Sequence, residues 1–242
     1  MTRRRWIADE VQENTAALIG DHASHLARVL RAQIGQEFDI AIGDAVRRGK
    51  ITAISDTRVE FALGAEQPIT PAPNVTLALA IFKFDRMEWA IEKCTEIGVA
   101  RIIPIVARRT DSHLAEAAAK RRERWQRIAL QAAEQSRRAE PPEIAAPVKL
   151  KDLGSAGAPP ASRPETSRIV LAESENNTHL RDLLLSHPSD LILAVGPEGG
   201  WTADELQWFR DSGWTAASLG ETILRAETAA IVATALALDA LR

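Results

Sequence analysis

The sequence of 242 residues contains a single cysteine, Cys94, and no apolar stretch that approaches the ~18 residues of a membrane span. One cysteine excludes a disulfide framework or a thiolate metal cluster within one chain, and it fits a reducing cytoplasm. The arginines near the start precede no long apolar run, so we expect neither a signal peptide nor a membrane segment. The five histidines lack the helical spacing of metal ligands, and we therefore predict no metal site.

Three motifs of nucleotide and ester chemistry are also missing. The chain has no Gly-x-Gly-x-x-Gly of the dinucleotide-binding fold and no Gly-Lys-Ser/Thr of a P-loop. The glycine-rich residues 196–200 lack the serine between glycines that defines a nucleophile elbow. Composition and spacing by themselves therefore do not name a reaction.

The charged residues are unevenly distributed along the chain, although the formal net charge is only −3. Residues 101–138 hold ten Lys and Arg against four Asp and Glu, whereas residues 139–242 hold eight against fifteen. Such a separation is typical of a nucleic-acid-binding face. It is equally compatible with a solvated helix in a balanced protein.

Residues 1–70 are predicted to be rich in β-strands that form a small barrel. Apolar and polar residues alternate there in short segments bounded by turn residues, which is typical of strands. These segments are residues 38–44, 50–55 and 58–63. The proline-rich residues 68–73 then indicate a linker, which we place at residues 71–74.

One helix is expected to interrupt these strands. Asp21 is a suitable N-cap for it. Apolar residues follow at helical spacing, at Leu26, Val29 and Leu30. We expect the helix to end near Ala32, shortly before a glycine.

Residues 75–242 are predicted to form an α/β domain. Short apolar runs alternate there with longer amphipathic segments, which is the pattern of a largely parallel sheet covered by helices. The strands are expected at residues 75–82, 102–106, 169–172, 191–195 and 215–219. The longest helix is expected at residues 114–138. Ligands of such sheets lie beyond the carboxyl ends of the strands.

The first helix of this region has explicit end signals. Asp85 is expected to be its N-cap, with Glu88 at the capping-box position and Gly98 at its end. Cys94 falls on the apolar stripe of this helix, so we interpret it as a packing residue. Residues 149–164 are rich in Gly, Ala, Ser and Pro and are expected to form a loose surface excursion without a chemical role.

The most informative stretch is the glycine-rich turn at residues 196–200, which follows a predicted strand. Glycines let the backbone fold tightly and bring its own N–H and C=O groups to a ligand, because no Cβ stands in the way. A helix should follow, with Thr202 as N-cap, Glu205 as capping-box partner and Gly213 at its end.

A second loop, residues 220–224, follows the next predicted strand, so that both loops can line one pocket. A helix is expected from about Ala226 onward. Its small residues form one face that can pack closely on another element. This face comprises Ala229, Ala230, Ala233, Leu236 and Ala237.

Several short motifs are spread along most of the chain. They are His25 with residues 29–31 and Gly35, Lys83 with residues 86–88 and 93–99, residues 133–138 before Pro142, residues 196–200, and residues 219–220 with 223–225 and 227–229. In this order they resemble the motifs of the bacterial 16S ribosomal RNA uracil-N3 methyltransferases, S-adenosylmethionine-dependent enzymes of the knotted SPOUT class. One glycine turn would only be suggestive, whereas motifs in family order are specific.

The resemblance implies an α/β protein of two domains. Residues 1–70 would form a PUA-like β-barrel that helps to hold RNA, and residues 75–242 a SPOUT-type trefoil-knot methyltransferase domain. Members of the family dimerise with the cofactor sites at the interface. The implied reaction is the S-adenosylmethionine-dependent methylation of N3 of a uridine in 16S ribosomal RNA, within the 30S subunit and in the cytoplasm.

The resemblance also implies where S-adenosylmethionine binds, namely between loops at the ends of neighbouring strands. Backbone groups can bond adenine there, and Leu and Ile side chains can cover it. The implied cofactor-binding residues are Leu171, Ala172, Glu173, Val195, Gly196, Pro197, Glu198, Gly199, Gly200, Leu219, Gly220, Ile223 and Leu224. Without the resemblance, Leu219, Ile223 and Leu224 would be interpreted as core residues.

Arg225 is the implied catalytic residue. A permanent cation with a fork of donors can bond the uracil carbonyls and favour the anionic base. The alternative interpretation of Arg225 is a salt bridge to Glu227 or a charge at a helix end. Glu198 and Glu227 are candidate proton acceptors, between which the sequence does not choose. Thr222 stands where many members of the family carry arginine.

Basic residues in or near the matching motifs are the expected RNA contacts, since they supply phosphate contacts and stacking guanidinium groups. They are Arg28, Arg31, Lys83, Arg86, Arg108, Arg109, Arg137 and Arg138. Each of them alone is compatible with a solvated surface charge. Two rival functions stay open, because a fold does not determine a substrate. One is a SPOUT methyltransferase with another RNA target, and the other is an RNA-binding module with an inactive pocket.

Overall fold

The structure, a computed structural model, describes residues 5–43, 45–67, 74–154, 166–186 and 190–241. The chain divides into two compact units. The first comprises Met1–Pro71 and Ala133–Pro141, and the second Ala72–Ala132 and Pro142–Arg242. Most of the predicted linker and of the predicted surface excursion lies outside the described residues, namely residues 71–73 and 155–164. The predicted domain bounds therefore stay a prediction.

The first unit is built on a six-stranded sheet. Its strands are β1 (Arg5–Ile7), β2 (Glu10–Gln12), β3 (Thr15–Ile19), β4 (Glu37–Ile42), β5 (Ala45–Ile54) and β6 (Arg58–Gln67). Their order is β1-β4-β5-β6-β3-β2, with β1 parallel to β4 and the other pairs antiparallel. Alternate side chains, including Ile40, Ile51 and Phe61, enter one apolar core. The prediction of a β-rich region is confirmed for these strands.

The helix predicted from Asp21 is wrong in its cap and its length. An α-helix, α1, covers only Gly20–Ser24, so Asp21 lies inside it and caps nothing. The chain then makes one π-helical turn, His25–Val29. Because a π turn is wider than an α turn, the side chains at its end and after it rotate out of the predicted stripe. Only Leu26 of the three predicted apolar residues is buried, and the other two are exposed.

The second unit contains a seven-stranded sheet in which every pairing is parallel. Its strands are β7 (Asn74–Ala80), β8 (Arg101–Val106), β9 (Glu143–Ile144), β10 (Val148–Lys149), β11 (Thr166–Leu171), β12 (Asp190–Val195) and β13 (Thr215–Ala217). Their order is β10-β8-β7-β12-β11-β13, and β9 also pairs with β8. The five predicted strands are confirmed with small differences at their ends. The sequence does not predict β9 and β10, because two residues are too short to display a period.

Helices cover both faces of this sheet. They are α2 (Phe84–Ile97), α3 (Ser112–Gln135), α4 (Leu180–Leu184), α5 (Ala203–Asp211) and α6 (Ala226–Ala240). Leu77 and Leu79 of β7 enter the core on one face, and Ala78 and Ala80 enter the core on the other. Burial on both faces explains why this strand is a continuous apolar run instead of an alternating one.

The predicted N-cap of α2 is wrong. The helix begins at Phe84, its N-cap position is Lys83, and no side chain caps it. Asp85 therefore lies in the first turn. Glu88 makes no capping box, because it bonds Arg124 of α3 at 2.7 and 2.8 Å instead. Glu88 pairs with Arg124 and not with the helix start because α3 packs alongside this part of α2.

Cys94 is fully buried where α2 packs on α6, and it accepts a hydrogen bond from Thr234 Oγ1 at 3.6 Å. Burial raises the pKa of its thiol to about 12. Its interpretation as a packing residue is confirmed.

None of the helices in the described ranges is long and apolar enough to cross a membrane. The same ranges contain no group of three or more His, Cys, Asp or Glu placed to hold a metal ion.

Candidate active site

A cavity of about 780 Å³ opens beyond the carboxyl ends of β7, β12, β11 and β13. These four strands are consecutive neighbours in the parallel sheet, so their ends meet at one edge. Every residue predicted to bind the cofactor lies on the cavity wall: Leu171, Ala172, Glu173, Val195, Gly196, Pro197, Glu198, Gly199, Gly200, Leu219, Gly220, Ile223 and Leu224. The fold therefore brings three separate loops to one cavity.

The loops after β11 and β12 are joined by one buried hydrogen bond. The indole Nε1 of Trp201 donates to the carbonyl oxygen of Leu171 at 3.0 Å. The same indole lies against Gly196, where an added Cβ would meet its Nε1 at 3.2 Å. Glycine at this position thus lets the ring approach the backbone and bridge the two strand ends.

Two glycines of the cavity wall have backbone conformations that other residues rarely adopt. Gly200 has φ +68° and donates its N–H to the carbonyl of Pro197 at 2.8 Å, which closes the turn. Gly220 has φ +126°. An added Cβ at either glycine would meet nothing within 4 Å. The requirement for glycine is therefore conformational, and the space beside both backbones is open to a ligand.

The capping box predicted at the start of α5 is confirmed. Thr202 Oγ1 accepts from the N–H of Glu205 at 3.3 Å, and Glu205 Oε2 accepts from the N–H of Thr202 at 2.8 Å. The other carboxylate oxygen of Glu205 accepts from the backbone N–H of Arg108 at 2.7 Å. Gly213, with φ +76°, follows the helix as predicted. Glu205 thus ties the loop after β8 to the helix that carries the glycine turn.

Arg109 holds the glycine turn from outside. Its Nη1 donates to the carbonyl oxygen of Gly199 at 2.6 Å. An added Cβ on Gly199 would lie 3.3 Å from Arg109 Cδ, so the side chain rests directly on the turn. Arg109 was predicted as an RNA contact, and the structure places it on the cavity wall beside the predicted cofactor loop.

Arg225 lies on the cavity wall, is exposed and occupies the N-cap position of α6. Within the described ranges no hydrogen bond or ion pair engages its guanidinium group. Of the two alternative interpretations of Arg225, the salt bridge to Glu227 is absent among the described residues, whereas the position at a helix end is confirmed. Its five N–H donors are therefore available to a ligand.

Glu227 is instead paired with Arg86, with Oε1 2.6 Å from Arg86 Nη1. Glu227 is only 4% exposed, and its second carboxylate oxygen is buried without a hydrogen-bond partner among the described residues. Glu198, by contrast, is exposed on the glycine turn. The two candidate proton acceptors share one cavity but differ in access to solvent.

The predicted RNA contacts are divided between the two units. Lys83, Arg86 and Arg109 line the cavity, whereas Arg108 is exposed just outside its lining. The remaining four, Arg28, Arg31, Arg137 and Arg138, belong to the first unit. Arg28 pairs with Asp56 there, at 2.5 Å between Nη2 and Oδ2. Burial lowers the pKa of Arg138 to about 10.

Part of the cavity wall was not predicted. These residues are Ser174, Asn176, Trp201, Leu206, Ala217, Ser218, Ala226 and Ala229. Asn176 lies in a turn that Glu175 shapes, since Glu175 Oε1 accepts from the N–H groups of Asn177 and Thr178. These backbone bonds lower the pKa of the Glu175 carboxyl group. The polar turn residues directly after the predicted strand are a signal that could have identified this loop.

Comparison with known proteins adds independent evidence. A protein family described as RNA methyltransferase domain matches residues 70–238. The chain is 35% identical over 231 residues to the ribosomal RNA small subunit methyltransferase E of Synechocystis sp.. The matched residues cover 94% of this chain and 74% of that protein.

Solved structures resemble the whole chain. The ribosomal RNA small subunit methyltransferase E of Neisseria gonorrhoeae, crystallised with S-adenosyl methionine, superposes with a TM-score of 0.83 at 28% identity over 97% of this chain and 96% of that one. A methyltransferase of Legionella pneumophila in complex with the cofactor SAM gives a TM-score of 0.84 at 28% identity over 99% and 98% of the two chains. Both similarities extend over the two units.

Proposed function

The chain belongs to the family of ribosomal RNA small subunit methyltransferase E, and on this premise we propose that it methylates N3 of a uridine in 16S ribosomal RNA. S-adenosylmethionine is the methyl donor, and the 30S subunit is the substrate particle. The observation that carries the proposal is the single cavity that unites the predicted cofactor loops with Arg225. Transfer of a methyl group to a polar base requires a binding site for the methyl donor and a cation that stabilises charge on the base. Both are present at this cavity.

The cavity wall fits S-adenosylmethionine. Its volume falls within the range of roughly 300–1,000 Å³ that is typical of small-ligand sites. Open space lies beside the backbones of Gly200 and Gly220, so the carbonyl of Gly200 and the N–H and C=O groups of Gly220 can bond a heterocycle, while the N–H of Gly200 is used within its turn. Ile223 is 79% exposed at the edge of the cavity. Covering a flat base with this side chain would remove apolar surface from water, which stabilises the complex.

When bound, S-adenosylmethionine supplies a methyl group on a positively charged sulfur. The protein must then orient the uracil and stabilise the negative charge that develops as the N3–H proton leaves. Arg225 is suited to both tasks, because its guanidinium donors can bond a uracil carbonyl and its charge is permanent. Since no described residue competes for these donors, Arg225 is ready to accept the base without breaking an ion pair.

We propose that Glu198, and not Glu227, accepts the N3 proton. Glu198 is exposed on the cavity wall, so a nucleotide in the cavity can reach its carboxylate directly. Glu227 is buried and already bonded to Arg86. Its role is to hold Arg86 at the edge of the cavity and to join the first turns of α2 and α6.

The proposed enzyme works as a homodimer in the cytoplasm. Helix α6 is apolar on nearly all sides: Ala230, Ala233 and Ala237 are buried, yet Leu236 is 40% exposed. Trp89 of α2, the helix on which α6 packs, is 47% exposed. A helix that is apolar all round is normally covered, and a second copy would cover this one.

We further propose the PUA-like barrel for the first unit and the trefoil knot for the second, as in the family.

Isothermal titration calorimetry with S-adenosylmethionine tests the proposal first. We expect one site per chain, with a dissociation constant in the micromolar range or tighter. An absence of binding would instead favour the rival function, an RNA-binding module with an inactive pocket. Binding together with a methylated position other than uridine N3 would favour the other rival, a related enzyme with a different RNA target.

A further inference from the structure

Helix α3 carries a row of basic side chains on its solvent face. Lys120, Arg124 and Arg127 are all exposed. Their spacing of four and then three residues places them on one side of an α-helix, over roughly 10 Å of its length. Trp125 and Ala129 lie on the opposite side and are buried in the core of the second unit. The row is therefore presented to solvent by a firmly anchored helix.

The row keeps a positive charge after its ion pairs are considered. Arg124 and Arg121 share one carboxylate, Glu88, at 2.7 and 3.6 Å. Lys120 and Arg127 have no hydrogen bond or ion pair within the described ranges. Two arginines on one acid, together with two unpaired cations, leave a net positive surface.

Glu116 and Glu123 are exposed on the same side of α3, within one turn of Lys120 and Arg127. Neither acid forms an ion pair among the described residues, so four cations of this surface, with Arg121 included, face three carboxylates, with Glu88 included. No large apolar side chain is exposed on α3, all of which lies within the described residues. A protein partner would normally need such an apolar or aromatic anchor. Phosphate groups need only the cations.

Arg121, at the edge of the row, contacts a residue that is next in sequence to the cavity lining. The guanidinium carbon of Arg121 lies 4.8 Å from the centroid of the Phe84 ring, in the first turn of α2. Phe84 directly follows Lys83 and lies two residues before Arg86, and both of these cations line the cavity. Cations thus lie on both sides of the start of α2, with Lys83 and Arg86 at the cavity and Arg121 on α3.

From this arrangement we propose that the solvent face of α3, with Lys120, Arg121, Arg124 and Arg127, binds the sugar-phosphate backbone of the RNA next to the target nucleotide. The inference rests on the proposed function, because it takes RNA as the substrate. These contacts are to phosphates and carry no base specificity, so they position the RNA without selecting its sequence. They add a second anchoring surface to the residues at the cavity.

The test compares two variants that lose the same charge. The double variant Lys120→Gln/Arg127→Gln removes the two unpaired cations of the row. Its matched control, Arg181→Gln/Arg210→Gln, removes two exposed cations from α4 and α5. Binding is measured directly with protein-free 16S RNA and with 30S subunits from a strain that lacks the enzyme, over a series of salt concentrations. Calorimetry with S-adenosylmethionine verifies that both variants are folded.

We expect the row variant to bind both RNA probes about tenfold more weakly near 0.1 M salt. The slope of log affinity against log salt should become shallower by roughly 0.7–0.9 for each cation removed. KM for the RNA should rise while kcat at saturating RNA stays unchanged. Affinity for S-adenosylmethionine should match that of the wild type. The control variant should change none of these quantities appreciably.

Three outcomes would overturn the inference. Wild-type affinity and salt slope in the row variant would make the row an ordinary solvated face. An equal loss in both variants would assign the effect to net charge. A loss with 30S subunits but not with protein-free RNA would identify a ribosomal protein as the partner. Because binding is measured apart from methyl transfer, a wild-type enzyme that binds RNA without methylating uridine N3 would refute only the proposed function.

Discussion

The indole N–H of Trp201 and the carbonyl oxygen of Leu171 form a buried hydrogen bond of 3.0 Å between two loops that are thirty residues apart. This bond joins the end of β11 to the glycine turn after β12. Both loops belong to the cavity wall. One side chain thus links two of the proposed cofactor loops beyond the last paired residues of their strands.

The first prediction concerns this bond. Trp201→Phe keeps an aromatic ring but removes the donor, which leaves the Leu171 carbonyl buried and unsatisfied. We expect a loss of roughly 1–3 kcal/mol in the free energy of unfolding and weaker binding of S-adenosylmethionine. Denaturant unfolding and calorimetry measure the two effects. Trp208→Phe is the matched control, since Trp208 contacts Phe209 through its ring. Equal effects of the two substitutions would contradict the role of the bond.

The second prediction concerns Arg225. Arg225→Ala should lower kcat by about 10²–10³, the usual effect of removing a charge-stabilising donor, while affinity for S-adenosylmethionine changes little. Arg225→Lys should recover only part of the activity, because an ammonium group lacks the fork of donors. Single-turnover methyl transfer with saturating RNA measures both variants. Normal turnover in the alanine variant would remove Arg225 from the mechanism.

The third prediction separates the two carboxylates. Glu198→Gln should lower kcat by about 10²-fold or more without affecting stability, since Glu198 is exposed. Glu227→Gln should lower the free energy of unfolding by roughly 1–3 kcal/mol and kcat by a smaller factor, because Arg86 loses its charged partner. Denaturant unfolding and steady-state kinetics on both variants decide the assignment. The reverse pattern would make Glu227 the proton acceptor.

The fourth prediction concerns pH. Burial raises the pKa of Cys94 from 9.0 to about 12, so the folded thiol keeps its proton where the unfolded thiol loses it. The unfolded state then binds fewer protons, and stability falls as pH rises from 9 toward 12. The protonated thiol of Cys94 contributes its full stabilisation to the folded state below pH 9. About 1 kcal/mol of this stabilisation should be lost by pH 10. Cys94→Ala should show a weaker decline between pH 8 and 10. Parallel declines would indicate that other groups cause it.

Local patterns in the sequence predicted much of this site. The capping box of Thr202 and Glu205 and the glycine turn before it depend on residues only a few positions apart, so their sequence signals survive folding. The parallel sheet followed from apolar runs, and the sheet in turn placed the loops at one edge. The resemblance to a family supplied the chemistry, which periodicity did not.

The features that the sequence did not predict depend on packing between distant parts of the chain. Arg86 and Glu227 are 141 positions apart and meet only because α2 packs on α6. Glu88 had a good local capping signal, but its pairing with Arg124 depends on α3 lying beside α2. The π turn at His25–Val29 changes the direction of side chains within five residues, and no local pattern announced it. Interactions of this kind require the three-dimensional arrangement.

The most direct test of the central claim is mass mapping of 16S ribosomal RNA from cells with and without the gene for this chain. Wild-type RNA should contain one methylated uridine that the deletion strain lacks, and fragmentation should place the methyl group on N3. Purified protein with S-adenosylmethionine should restore that methyl group on 30S subunits from the deletion strain. Identical RNA masses in the two strains, or a missing methyl group on another base or atom, would contradict the account.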